Sequence, residues 1–138
     1  MTLTALLLVV VPLVVAGTGR AAELQRRLME VSWAPRGEVA ALLFSLSRGQ
    51  GPADGYELAL VGDSQVLRRV RLASSSVRLL GWSRDGVVYE GHPGDVAIQP
   101  ATGGPARHVR LPEGAVPLAG DGERVSYLSE DRMHLLSL

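Results

Sequence analysis

The sequence predicts an all-β fold of repeated strand–turn–strand units, and three observations predict it. The first is Leu80-Gly81-Trp82-Ser83-Arg84-Asp85-Gly86-Val87-Val88-Tyr89, which reads as a strand, a tight Asp-Gly turn and a second strand. Val, Tyr and Trp suit a pleated, half-buried surface, and Asp-Gly is a strong hairpin signal because glycine supplies positive φ. The second is that the same grammar recurs. Trp33-Ala34-Pro35-Arg36-Gly37 precedes the apolar run Val39–Phe44, and Leu118-Ala119-Gly120-Asp121-Gly122 precedes Val125-Ser126-Tyr127-Leu128. The anchors at 33, 82 and 118 lie 49 and then 36 residues apart, so the unit of repetition is a small group of strands. The third is that everything from Val31 onward alternates short apolar runs with Gly-, Pro- and Ser-rich turns.

Taken in order, the chain opens on an apolar run, Leu3 to Ala16, interrupted by Pro12 and followed by its first charge at Arg20. It is long enough for the core of a signal peptide and short for a bilayer span, which takes ~20 residues. Residues 1–20 are therefore expected to be a signal peptide or membrane anchor, in the form of a hydrophobic helix. Ala21 to Val31 follows. Leu24, Leu28 and Val31 fall at i, i+4 and i+7, which predicts a short helical linker over residues 21–30.

Residues 31–138 form the repeat domain. Val39–Leu46, Tyr56–Val61 and Gln65–Leu72 read as strands of the first unit, separated by the loop Ser47–Gly55 and the turn Gly62-Asp63-Ser64. Val77–Trp82 opens the second unit. Its later strands align with the first at an offset of 39. Glu57-Leu58-Ala59-Leu60 matches Val96-Ala97-Ile98-Gln99, and Arg69-Val70-Arg71-Leu72 matches His108-Val109-Arg110-Leu111. The third unit supplies Arg124–Ser129 and Met133–Leu138, and by alignment lacks its last strand.

Trp82-Ser83-Arg84-Asp85-Gly86, followed by an apolar strand and by Gly103-Gly104-Pro105-Ala106-Arg107-His108-Val109-Arg110-Leu111, resembles the blade of a TolB-type β-propeller. The resemblance covers about residues 31–138. It implies antiparallel four-stranded blades, here about two and three-quarters of them, in an open or incomplete propeller. It also implies a periplasmic or cell-surface scaffold that binds proteins. Arg36 stands where that family prefers Asp, and Leu118 and Gly120 stand for Trp and Pro.

Composition narrows the chemistry. Fourteen basic and fourteen acidic residues cancel, and aromatic residues make up 4%, so neither a charged field nor a stacking platform points to nucleic acid. All the basic residues are Arg. Lys, Asn and Cys are absent, which removes thiol chemistry, disulfides and N-glycosylation.

The sharpest enzymatic alternative is an ester hydrolase. Val61-Gly62-Asp63-Ser64 resembles the first block of the SGNH (GDSL) hydrolases, and Asp131-Arg132-Met133-His134 resembles their last, which would make Ser64 a nucleophile served by His134 and Asp131. Those enzymes are α/β, whereas only strand signals lie between 64 and 134. A further alternative is the remnant propeller of a prolyl-oligopeptidase-like protein.

His92, His108 and His134 fall in different units without ligand spacing. Arg68, Arg69, Arg71 and Arg78 form a local basic patch, expected to keep an outer strand from pairing. Asp54, Asp63, Asp85, Asp95 and Asp121 match no Ca²⁺ loop, and Asp85 and Asp121 are expected to cap turns. Trp33 and Trp82 are expected in the core.

These readings give no catalytic, cofactor or metal residues. The expected function is an exported or membrane-anchored interaction module. Its partner is another protein, or a second copy meeting it through the C-terminal edge strand, with the membrane engaged by residues 3–16.

Overall fold

Eleven strands and no helix organise the described part of the chain. The computed structural model describes residues 23–50 and 52–138. The strands are β1 (Leu24–Trp33), β2 (Val39–Arg48), β3 (Gly55–Gly62), β4 (Gln65–Leu72), β5 (Arg78–Ser83), β6 (Val87–His92), β7 (Asp95–Gln99), β8 (Arg107–Arg110), β9 (Val116–Gly122), β10 (Arg124–Ser129) and β11 (Arg132–Ser137). They form a four-stranded sheet, β1-β2-β3-β4, and a curled seven-stranded sheet, β11-β10-β9-β5-β6-β7-β8. All pairings are antiparallel except β5 with β9.

The all-β expectation holds, and the expected helix does not. Where residues 21–30 were to be helical, β1 pairs with β2 from Leu24↔Arg48 to Trp33↔Ala40. A register shift between Leu28 and Glu30 explains the helix-like spacing. One extra residue in a strand reverses which face the following residues occupy. Leu28 therefore opposes Phe44 and Val31 opposes Leu42, which lie two apart on one face. A strand with one bulge reproduces the i, i+4, i+7 stripe. The apolar run Leu3–Ala16, and with it the expected N-terminal helix, lies outside the described residues, among which no helix is long and apolar enough to cross a membrane.

The second correction concerns the join between units. The sequence implies a separate sheet for each unit. Instead, Gly81↔Gly120, Trp82↔Asp121 and Ser83↔Gly122 pair in parallel and fuse the second and third units into one sheet. Gly81 has φ of +142°, and a Cβ there would overlap the carbonyl of Gly120. The lack of a side chain at Gly81 lets the two backbones meet, and the lack of one at Gly120 makes room for Val88. Arg78 adds a hydrogen bond from its guanidinium to the Pro117 carbonyl, again tying β5 to β9.

A third correction is a register slip within the repeat. Leu58 opposes Val70, and Val96 opposes Val109. Val96 is thus the counterpart of Leu58, an offset of 38, while Val109 remains the counterpart of Val70 at 39. Aligning both strands at 39 puts Ala97 in Leu58's place and exchanges the two faces of the strand.

Two apolar cores follow from these pairings. Ala41, Leu43, Leu58 and Leu60 from the first sheet pack against Trp82, Val87, Tyr89 and Ala97 from the second. On the opposite face of the second unit, Leu80, Val88, Val96 and Ile98 pack with Leu111, Ala115 and Val125, supported by Tyr127, Leu136 and Leu138. Each large side chain so buried contributes about 1.5–3 kcal/mol relative to exposure. Trp82 sits in the first core as expected, 8% exposed, with its indole N–H donating to Ser32 Oγ at 3.1 Å. Trp33 does not; it is 50% exposed.

Candidate binding surfaces

The three turns of the repeated grammar come together at one end of the molecule. β5 and β9 are parallel neighbours and β1 packs beside β5, so the turn after each first strand emerges in one region. A recess of about 500 Å³ lies there, lined by Pro35, Arg36, Trp82, Arg84, Asp85 and Asp121 among others. Its walls are held by backbone bonds, Ala34 N–H to Val39 O and Ser83 N–H to Gly86 O, each 2.8 Å. The expected cap at Asp85 is replaced by Ser83. Its hydroxyl accepts the Asp85 N–H at 3.2 Å and donates to the Gly86 carbonyl at 3.3 Å. The Asp85 carboxylate instead faces Arg107, 3.9 Å away. Arg84 pairs with Glu123 at 2.9 Å across a well-solvated surface, a contact of small energetic weight. Both signs of charge line the recess, and the Ser83 hydroxyl is engaged in its own turn.

The other surface is the outer face of the third unit. Leu128 opposes Met133 on one side and Val116 on the other, which places all three on one face of the sheet. Leu118, two residues beyond Val116, and Leu135, opposite Ser126, extend it. Val116, Leu118, Leu128, Met133 and Leu135 are all exposed, Met133 to 70% and Leu135 to 60%. Together they form a contiguous exposed apolar face on the sheet. Leu135, Leu136 and Leu138 lie together on the C-terminal segment Met133–Leu138. In the structure Leu136 and Leu138 turn inward to the second core, and Met133 takes their place outside. The period-2 spacing Met133-x-Leu135 was the signal that would have separated them.

The remaining sequence candidates are dispersed. Ser64 stands in the β3–β4 turn with φ of 64°, on the four-stranded sheet. Asp131 and His134 belong to the third unit on the other sheet, and no hydrogen bond joins the three among the described residues. His134 stacks on Tyr127, centroids 5.1 Å apart. His108 Nδ1 meets Asp95 at 3.0 Å, and His92 ends β6. The described residues contain no cluster of His, Asp and Glu able to hold a metal ion.

The arginine patch is split between the sheets and largely partnered. Arg68 donates to the Gly104 carbonyl at 2.6 Å, and Arg78 pairs with Glu90 at 3.2 Å. Arg69 and Arg26 both reach Glu57, at 2.8 and 3.2 Å, flanking a carboxylate that is itself buried. Burial pushes the Tyr89 phenol upward, the Asp95 charge adds to this, and Arg68 opposes it, which keeps the phenol protonated in the first core.

Comparison with protein-family models, with curated proteins and with solved structures found no match.

Proposed function

We propose that this protein is an exported or membrane-anchored interaction module of the propeller type, working by binding and not by catalysis. The observation that carries the reading is the apolar outer face of the third unit on and beside the edge strand β11, because a surface of that kind is costly in water unless something covers it. The apolar run Leu3–Ala16 adds the membrane or the export route. The TolB-type resemblance of residues 31–138 supplies the expectation of a scaffold that receives a protein partner. A formal charge of zero and few aromatics speak for a protein partner over nucleic acid.

The test places a photo-crosslinking amino acid at Leu118, in the full chain in its own cells. Irradiation is expected to give defined protein adducts, whereas the same residue at Arg27, exposed on β1, gives none. Absence of any adduct at Leu118 removes the binding reading. A second expected result concerns the start of the chain. Residues 1–30 fused to a reporter should carry it into or across the membrane, and a reporter recovered wholly soluble in the cytoplasm overturns the export reading.

A further inference from the structure

Among the described residues the two sheets have four edges, and three of them are blocked. β4 carries Arg68, Arg69 and Arg71, and β8 is four residues long with Arg107, His108 and Arg110. Charge and shortness are the ordinary protections of an edge. β1 lies against β5, where Glu30 accepts the Leu79 N–H at 3.1 Å and Ser32 accepts from Trp82. The fourth edge, β11, has one charged residue, Arg132, at its beginning.

We propose that β11 is the junction with a second copy of this chain, pairing antiparallel to itself about a two-fold axis through Leu135. This rests on the binding reading above and specifies its partner. The backbone sets the register. Leu138 N–H bonds the Glu123 carbonyl at 2.7 Å, so the backbone groups of Leu138, Leu136 and His134 point toward β10. In an antiparallel ladder alternate residues point the other way. The N–H and C=O groups of Met133, Leu135 and Ser137 therefore point outward. Setting Leu135 opposite its own copy places Met133 opposite Ser137, and every outward group finds a partner. Moving the axis to His134 pairs Met133 with Leu135 and leaves Ser137 unpaired. Moving it by half a step brings outward groups against inward ones and sets the exposed face of one copy against the core-packed face of the other.

Charge selects the antiparallel arrangement. A parallel pair brings the two Arg132 side chains together. The antiparallel one sets each opposite Leu138, with the two cations about 20 Å apart at ~3.4 Å per residue. The axis stands perpendicular to the sheet, so Met133 and Leu135 of both copies join one continuous apolar face. The area covered by one strand is below the ~1,200 Å² of a stable interface, so the association is concentration-dependent and favoured by confinement to a membrane.

The chain has no cysteine of its own, which permits a clean test in the full-length protein. Leu135→Cys places two thiols on residues whose Cα atoms stand ~5.5 Å apart, within disulfide reach. Mild oxidation with copper-phenanthroline is expected to trap it as a covalent dimer. Met133→Cys, more exposed but four positions from its own copy, is expected to stay monomeric, while the double variant Met133→Cys/Ser137→Cys is trapped. Leu135→Pro, which removes an outward N–H and no bond to β10, should weaken self-association of the otherwise wild-type chain about tenfold or more. Failure of Leu135→Cys to dimerise overturns the proposal, as does equal trapping at Met133, which reports collision, or preferential trapping of His134→Cys, which reports the other axis. Photo-adducts at Leu118 to a different protein, with no Leu135→Cys dimer, overturn this proposal and leave the binding reading standing.

Discussion

Gly81→Ala is expected to destabilise the protein by about 3 kcal/mol or more. Two costs add. The residue has φ of +142°, a region that L side chains rarely adopt, and the new Cβ would overlap the Gly120 carbonyl. The overlap is with backbone, which cannot swing aside as a side chain would. Relief would require β5 and β9 to separate, and with them the second and third units. Gly120→Ala should cost less, because its φ is unstrained and its Cβ would meet the Val88 side chain, at 2.9 Å, and not backbone. Denaturant unfolding of both variants checks this. If Gly81→Ala unfolds at the wild-type midpoint, the parallel β5–β9 junction is not as described.

Gly86→Val is expected to cost about 2–4 kcal/mol. The sequence pointed to this glycine for its turn conformation, but the reason is different. Gly86 is not among the residues with positive φ. A Cβ there would run into the carbonyl of Gln99 and the nitrogen of Pro100, on the strand β7 that pairs with β6. Gly37, its counterpart in the first unit, has φ of +70° and no atom within 4 Å of the position of a Cβ. Gly37→Ala should therefore cost only about 1 kcal/mol, the conformational penalty alone. Thermal melts of Gly37→Ala and Gly86→Ala separate the two causes. Equal losses would mean that turn conformation governs both, and a much larger loss at Gly86 means that close backbone approach governs it.

The exposed apolar face of the third unit was half legible. The sequence marked Met133–Leu138 as an apolar strand. Which of those residues face outward was not legible. Leu135, Leu136 and Leu138 are alike in chemistry, and only pairing with β10 assigns Leu136 and Leu138 to the second core and Leu135 to solvent. The recess was similarly invisible. Arg36, Arg84 and Asp121 are far apart along the chain and meet only because the first strands of the units lie side by side.

By itself the sequence determined most of the strand content from Val39 onward and the positions of most turns. These follow from local properties, namely β-branched and aromatic runs, Gly and Pro punctuation, and the recurrence of a motif. Tertiary structure decided three things that local properties leave open. It made β1 a strand, since a bulged strand and a helix give Leu24, Leu28 and Val31 the same spacing, and only pairing with β2 chooses between them. It set Val96 and not Ala97 in the place of Leu58, since register is fixed by which face meets the core and not by the best string match. It joined the second and third units into one sheet at Gly81 and Gly120, because a glycine's permission for two backbones to meet takes effect only when the rest of the fold brings the second backbone there.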